Sequence, residues 1–540
     1  MPESEKVTYV SLESDERLHG EYEAALHEIE REFGKRHPMY IGGREVTADR
    51  EFEVWSPIDA TVLLGAFSSG GEEHARQGIA AANGTFPEWS RRDWRKRVAV
   101  IRRTADAIED RLFSLAALLT FEAGKTRSEA LAEVGETADM LRYYCGVYEQ
   151  NNGYVLSLHS PAPGEESRSV MRPYGVWAVI SPFNFPIALA AGMISGALLT
   201  GNTVVFKPTS KTPLSGATLF RLFAESGVPP GVLNLVTGPG GPFGRVVAAH
   251  PDVAGIAFTG SRAVGMRLER QTVAVQPYHR PLVMELGSKN PVIVTANADI
   301  TKAVEGVARA AFGFAGQKCS AASRVYVQAS VAERFLQALR NRAERMEIGD
   351  PRRREVAYGP LIDDDARLTF QKAVDEAIRD GGRIVAGGKV LEDERTGRGA
   401  YVRPTVIAGL AHDHRIFREE LFVPILAVGT FETLDEALAL ANATEYGLTA
   451  GIFTEDPEEV ENFFDRIRFG VVYANRRGGA TTGAWPGAQP FGGWKASGTT
   501  GRGVGGPYYL LSFLREQAET RVTEPGGDEQ DLARRTPASQ

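Results

Sequence analysis

Cysteine is scarce in this chain. Its 540 residues carry two, Cys145 and Cys319. So few thiols in so long a chain exclude a disulfide framework, and a reducing, cytoplasmic setting is expected. The nine histidines are scattered except for His412 and His414, which have no cysteine or further histidine beside them, so no metal site is expected. Long apolar runs are also missing, and nothing reaches the roughly 18 residues a membrane-spanning helix needs. Positive charge is not in excess. Sixty-one Lys and Arg stand against 69 Asp and Glu, a net charge of −8, which argues against nucleic acid or an anionic membrane as partner. The opening residues Met-Pro-Glu-Ser-Glu-Lys lack the basic-then-apolar order of a secretory signal, and none is expected.

What is present reads as an ordinary globular chain, 43% hydrophobic and 24% charged, long enough for two or three packed units. Apolar residues recur at helical spacing over 21–35, 94–122 and 128–149. Cys145 falls in the last of these, among Leu141, Tyr144 and Tyr148, and reads as a packing residue. From Gly175 onward short apolar runs alternate with helical segments: 176–180, then 186–200, 204–206, 213–226, 232–236, 243–249 and 256–258. A second alternating block covers 291–472. Such alternation predicts βαβ units around mostly parallel sheets, an α/β fold in two halves. The tail, 523–540, is rich in Pro, Gly and charge and is expected to be disordered.

The other cysteine has different company. Gly313-Phe314-Ala315-Gly316-Gln317-Lys318-Cys319-Ser320 sets a thiol in a small, polar, Gly-containing turn rather than among core residues. A thiolate can add to an aldehyde carbonyl. The resulting thiohemiacetal expels hydride to leave a thioester, which water hydrolyses. An inert buried cysteine is the competing reading, and its neighbours count against it.

Three motifs carry a resemblance. Gly316-Gln317-Lys318-Cys319 resembles the cysteine motif of the aldehyde dehydrogenase superfamily. Met284-Glu285-Leu286-Gly287-Ser288-Lys289-Asn290-Pro291 resembles its glutamate motif, and Ser181-Pro182-Phe183-Asn184-Phe185-Pro186 its asparagine motif. The resemblance covers about residues 38–515. It implies that Cys319 is the nucleophile and Glu285 the general base that activates water. Asn184, with the Cys319 N–H, would hold the oxyanion. Ser288 departs from the family, which usually has a second glycine there.

For the cofactor, the resemblance implies NAD and leaves NADP open. Ser181, Pro182, Phe183 and Leu286 would line its path. Gly260, Ser261 and Gly265, at a strand-to-helix turn, would meet the pyrophosphate. Lys207 would donate to the adenosine ribose, with Ser210 where NAD-preferring relatives often carry glutamate. Glu420 and Phe422, in Glu420-Leu421-Phe422-Val423-Pro424, would hold the nicotinamide ribose, although Val423 replaces the usual glycine.

The stretch 483–498, with Gly505-Gly506-Pro507-Tyr508-Tyr509-Leu510-Leu511, resembles the Δ1-pyrroline-5-carboxylate dehydrogenase branch of the family. That likeness implies glutamate γ-semialdehyde as substrate, oxidised to glutamate in proline breakdown. The backbone N–H groups of Gly483 and Ala484, helped by Ser320, would grip its carboxylate. Phe185 and Phe491 would flank its carbons. Arg476 and Arg477 could instead supply positive charge, or be solvated loop residues. Another aliphatic or aromatic aldehyde is the alternative substrate, and a non-catalytic protein on the same fold is the alternative class. The implied architecture is a Rossmann-type cofactor domain (1–152 and 173–284) and an α/β catalytic domain (285–482), whose substrate-anchoring loop continues to 498. A β-flap (153–172 and 508–522) would join a homodimer or higher homo-oligomer. Residues 508–514, apolar on both faces, are expected to form a buried strand.

Overall fold

The computed structural model describes residues 16–160, 162, 164–393, 396–477 and 485–522. The disorder expected for 523–540 lies outside them. Two seven-stranded sheets organise the molecule. In the first, the strands run in the order Leu282–Glu285, Val253–Thr259, Val176–Ile180, Thr203–Lys207, Leu233–Leu235, Met39–Ile41, Arg44–Val46. The five strands from 176 to 285 are mutually parallel. Their near-continuous apolar character follows from burial on both faces, since helices cover each side of a parallel sheet. The chain winds outward from Val176–Ile180 in one direction as far as Leu233–Leu235, then returns to the other side at Val253–Thr259. A crevice therefore opens beyond the carboxyl ends of these two central neighbours, where open α/β sheets take ligands.

The second sheet runs Arg383–Ala386, Thr405–Ala408, Ile425–Phe431, Ala322–Gln328, Asn290–Val294, Thr449–Phe453, Val471–Ala474. All its pairs are parallel except that of the first, edge strand. Glu285 is the last residue of an edge strand of one sheet, and Asn290 opens a central strand of the other. The glutamate motif is thus the bridge between the halves.

Several expectations need adjustment. The single helix over 94–122 is two, Trp94–Glu109 and Leu112–Ala123; Asp93 caps the first through the Arg95 N–H at 2.8 Å, and Gly124 ends the second at φ +74°. The N-terminal helix runs Glu16–Ile29, earlier than 21–35. A further helix, Glu72–Arg91, is disguised in the sequence by its internal Pro87. The strand expected over 508–514 is overturned. Tyr509–Phe513 is a 3-10 turn, because its aromatic rings find core partners at helical spacing: Tyr509 against Tyr144 and Phe513 (both 5.4 Å), and Phe513 against Trp177 (4.5 Å). The strand begins at Leu514 and runs to Val522. It pairs antiparallel with Glu165–Pro173, which pairs in turn with Val155–Leu158.

Candidate active site

The residues singled out by chemistry cluster where strands end. Asn184 sits in the loop between the strand Val176–Ile180 and the helix Ala188–Leu199, with its side chain buried. Ser181 opens that loop; its N–H donates to Lys207 O at 3.2 Å, and its buried hydroxyl has no partner among the described residues. Lys207 ends the neighbouring strand. Burial pushes its ammonium down to about 8, and its Nζ donates to Pro208 O at 3.0 Å. Ser210 Oγ donates to Gly238 O at 2.9 Å.

Beyond the strand Val253–Thr259, the Gly260 N–H donates to Glu285 O at 3.1 Å, and Ser261 precedes the helix Arg262–Val275. That helix start gives N–H groups suited to an anion. Gly265 has a packing reason to lack a side chain, because a Cβ there would run into Leu286 Cδ2.

Cys319 lies in the short turn before the strand Ala322–Gln328. Phe314 and Ala315 both take φ +52°, a costly conformation for residues with side chains that surrounding packing must hold. Gly316 (φ +68°) allows the Val423 carbonyl to come within 2.8 Å of where a Cβ would stand. Asn290 ties the turn down: its Nδ2 donates to Cys319 O (2.7 Å), Ala321 O (2.9 Å) and Ser288 Oγ (2.9 Å), while its Oδ1 accepts from the Thr449 N–H (2.9 Å). The departure at Ser288 therefore has a place, as an acceptor beside the cysteine's carbonyl.

The thiol of Cys319 is half-buried. Burial, reinforced by the Glu420 and Glu285 carboxylates, pushes it up to about 12. Glu285 is itself pushed up to about 8 by burial, opposed by the Gly493 N–H, which donates to its Oε2 at 3.1 Å. Glu420 rises to about 7 for the same reason; its Oε1 accepts from the Ser288 N–H at 2.8 Å. A Cβ on Gly287 would run into Glu420 Oε2 and displace that carboxylate. A thiol and two carboxylates raised by burial thus share one electrostatic environment. Perturbed groups gathered in this way make a candidate reactive site.

Phe422, at φ +59°, meets Phe183 edge to face at 5.8 Å, so both of these expected cofactor contacts stand together. Leu286 is held by its N–H on Ser497 O at 2.8 Å. Phe185 is half-buried; Ser320 and Phe491 are buried. Gly483 and Ala484 lie outside the described residues. Arg476 hydrogen-bonds Gln489 and stacks over Trp485 at 4.2 Å, while Arg477 is exposed.

Some partners had not been anticipated. Gly493, Lys289 and Asn290 stood within the motifs, but their roles depend on which strand end each one meets. Burial and nearby Arg324 lower the Lys289 ammonium to about 7. Far along the chain, His414 lies beside Asp380 (3.1 Å) and Glu376 (3.9 Å), three possible ligands. Arg415 is also bonded to Glu376, so the group is already engaged as an ion-pair cluster. Its acidic members are far from the histidine in sequence, so a search around His414 could not find them.

The model of the aldehyde dehydrogenase family matches residues 45–518. The chain is 37% identical over 506 residues to a 1-pyrroline-5-carboxylate dehydrogenase of Halalkalibacterium halodurans, covering 92% of this chain and 95% of that one. Among solved structures it is similar to 1-pyrroline-5-carboxylate dehydrogenase from Thermus with bound NAD (TM-score 0.90, 34% identity, 94% of this chain and 97% of that one). It is also similar to betaine aldehyde dehydrogenase from Staphylococcus aureus in complex with NAD+ (TM-score 0.87, 30% identity, 94% and 99%). Among the described residues no helix is long and apolar enough to cross a membrane.

Proposed function

Because this chain belongs to the aldehyde dehydrogenase family, we propose that it oxidises L-glutamate γ-semialdehyde, the open form of Δ1-pyrroline-5-carboxylate, to L-glutamate with NAD. The observation that carries the reading is the common electrostatic environment of Cys319 and Glu285, at the junction of two mostly parallel sheets.

A thiol raised to about 12 in the field of a carboxyl raised to about 8 keeps its proton in the resting site. The thiolate then forms only with a carbonyl in place to take its electrons and donors in place to hold the oxyanion. Cys319 Sγ bonds to the aldehyde carbon, its proton passes to Glu285, and the carbonyl oxygen becomes an oxyanion held by the Asn184 amide and the Cys319 N–H. An amide donor suits this position because it does not titrate. The thiohemiacetal carbon then loses its hydrogen with two electrons, leaving a thioester on Cys319. Once its first proton has passed to solvent, Glu285 takes a proton from water, whose oxygen attacks the thioester carbon; the acid is released and the departing thiolate regains that proton from Glu285. The dinucleotide supplies the hydride acceptor.

The chain's own residues fit that cofactor. The orphaned Ser181 hydroxyl, the Lys207 ammonium at a strand end and the Glu420 carboxylate suit ribose and phosphate oxygens, while Phe183 and Phe422 give an apolar wall. Ser210 puts no carboxylate at the adenosine ribose, so NADP belongs in any test. For the substrate, Phe185 and Phe491 flank the aliphatic carbons, and Ser320 with the 483–484 backbone takes the carboxylate.

The three-stranded sheet 155–158, 165–173 and 514–522 is the flap that joins copies, with Leu156, Leu158 and Val522 exposed on it. Unpaired edges and exposed apolar side chains of this kind favour a homo-oligomer, a dimer at least. A stable monomer by light scattering would count against it.

The decisive test of the substrate is kcat/KM for pyrroline-5-carboxylate against propanal, benzaldehyde and succinate semialdehyde, each with NAD and NADP. The reading expects pyrroline-5-carboxylate to lead. If a simple aldehyde wins by about tenfold, roughly 1.4 kcal/mol in transition-state binding, the substrate assignment is lost.

A further inference from the structure

Beneath the reactive cleft lies an ion pair to which the reaction above gives no role. Lys125 and Glu133 are both fully buried, with Nζ 2.5 Å from Oε2. Glu133 sits on the helix Arg127–Gln150, and Lys125 stands just before Thr126, the residue that caps that helix. A buried pair of this sort costs desolvation that a pair of apolar side chains would avoid, so its contacts need an explanation.

Each partner reaches into a different part of the site. Glu133 Oε1 accepts from the N–H groups of Ile187 (3.0 Å) and Ala188 (3.1 Å). Those groups open the helix Ala188–Leu199, which has no cap from its own side chains. The carboxylate thus stands at the helix's positive end and fixes where the chain leaves the Asn184–Phe185 segment. Lys125 Nζ lies 3.6 Å from the centre of the Phe185 ring and 4.9 Å from that of Phe314. Phe185 follows Asn184 directly, whereas Phe314 belongs to the left-handed turn leading to Cys319. One ammonium therefore holds an aromatic ring from each of the two loops that must meet over the aldehyde. The same helix also contacts the residue before the nucleophile, through Glu129 Oε1 and Lys318 Nζ at 3.4 Å.

We propose that Lys125 and Glu133 are positioning residues that set the Asn184–Phe185 segment against the Cys319 turn, and so govern acylation and the fit of the substrate's chain. The proposal rests on the functional reading above. Neither residue touches the reacting atoms. Glu133 acts through the backbone after Phe185, and Lys125 through the faces of two rings, where a desolvated cation is held more strongly than in water. Without the cation, Phe185 and Phe314 lose their common anchor, and the oxyanion donor beside Phe185 shifts relative to the thiol.

Glu133→Ala alone would leave a buried, unpaired ammonium and is expected to fold poorly. The informative variant is Lys125→Met with Glu133→Gln. It removes both charges at similar volume and keeps an amide oxygen for the two N–H groups. The readouts are the rapid first turnover of NADH formation, thermal melting, NAD affinity by protein fluorescence, and the preference for pyrroline-5-carboxylate over propanal. The expected result is first-turnover formation slowed about tenfold or more and a reduced preference, with melting and NAD affinity close to those of the parent. First-turnover rate and preference within about twofold of the parent overturn the inference. So does a loss of activity that follows a matching loss of melting temperature and NAD affinity, since the pair is then merely structural. A parent protein with no first-turnover NADH from any aldehyde would instead sink the reading of Cys319 itself.

Discussion

The two cysteines make a controlled comparison within one chain. Both thiols are raised to about 12, and in both the largest cause is burial. Yet Cys145 sits inside a long helix, fully buried, with Sγ 3.7 Å from Val98 O; it is packed into the core, with Arg102, Glu149 and Asp106 in its field. Cys319 ends a strained turn, partly exposed, with its carbonyl fixed by Asn290 and two carboxylates in its field. A raised thiol pKa therefore does not separate the proposed nucleophile from a packing residue. What differs is access: Cys319 is partly exposed, with Glu285 and Glu420 in its field, whereas Cys145 is fully buried.

The sharpest way to break the comparison is to remove each thiol in turn. Cys319→Ala should lower NADH formation by about 10⁴-fold or more while leaving NAD binding and melting intact, the scale seen when a catalytic nucleophile is deleted. Retained turnover would end the distinction. Next in size is the base. Glu285→Gln should cost about 10²- to 10⁴-fold in kcat. In the parent, kcat/KM should climb as pH rises through about 8, where Glu285 becomes the carboxylate that can take a proton, and the variant should lose that limb.

Glu285 also leaves a mark on stability. The folded state holds its proton up to about 8, whereas the unfolded chain releases it near 4.5. Between those values the folded state binds more protons, so stability falls as pH rises across that window, by at most about 1.4 kcal/mol for each step of one in pH. The parent's melting temperature should drop from pH 5 to pH 8, and Glu285→Gln should flatten that slope; an unchanged slope in the variant would mean Glu285 is not protonated in the fold.

Asn184→Ala should reduce kcat by about 10²- to 10³-fold with little change in NAD affinity, the range for one lost oxyanion donor. The smallest effect is expected at the other thiol. Cys145→Ala should leave activity within about twofold and lower stability by about 1 kcal/mol, the cost of a small deletion in a packed interior. A large activity loss there would mean that the helix bearing Cys145 does more than pack.

Much of the fold was legible in the sequence. The strands 176–180, 204–206, 232–236 and 256–258 were readable because a parallel strand buried on both faces is a short continuous apolar run. What failed had physical causes. Tyr509–Phe513 looked like a strand because apolar residues on every face fit either a strand or a buried turn, and only the rings of Tyr144 and Trp177 decided between them. Pro87 hid a helix that tertiary contacts keep whole. Within the candidate site, Cys319, Glu285 and Asn184 were nominated by their immediate neighbours. Gly493, Asn290, Lys125 and Glu133 did not, because each acts on a segment remote in the chain.

The sequence alone was enough to place the chain in its family and to nominate reacting groups, since chemistry selects residue types and short motifs hold them in order. It also distinguished the two cysteines, by composition of the flanking residues. Only the tertiary structure could show that burial raises both thiols, and that they differ in access and in their surroundings. Burial, the field of a distant carboxylate and the hold of a buried ion pair all depend on distances through space, which no local pattern encodes.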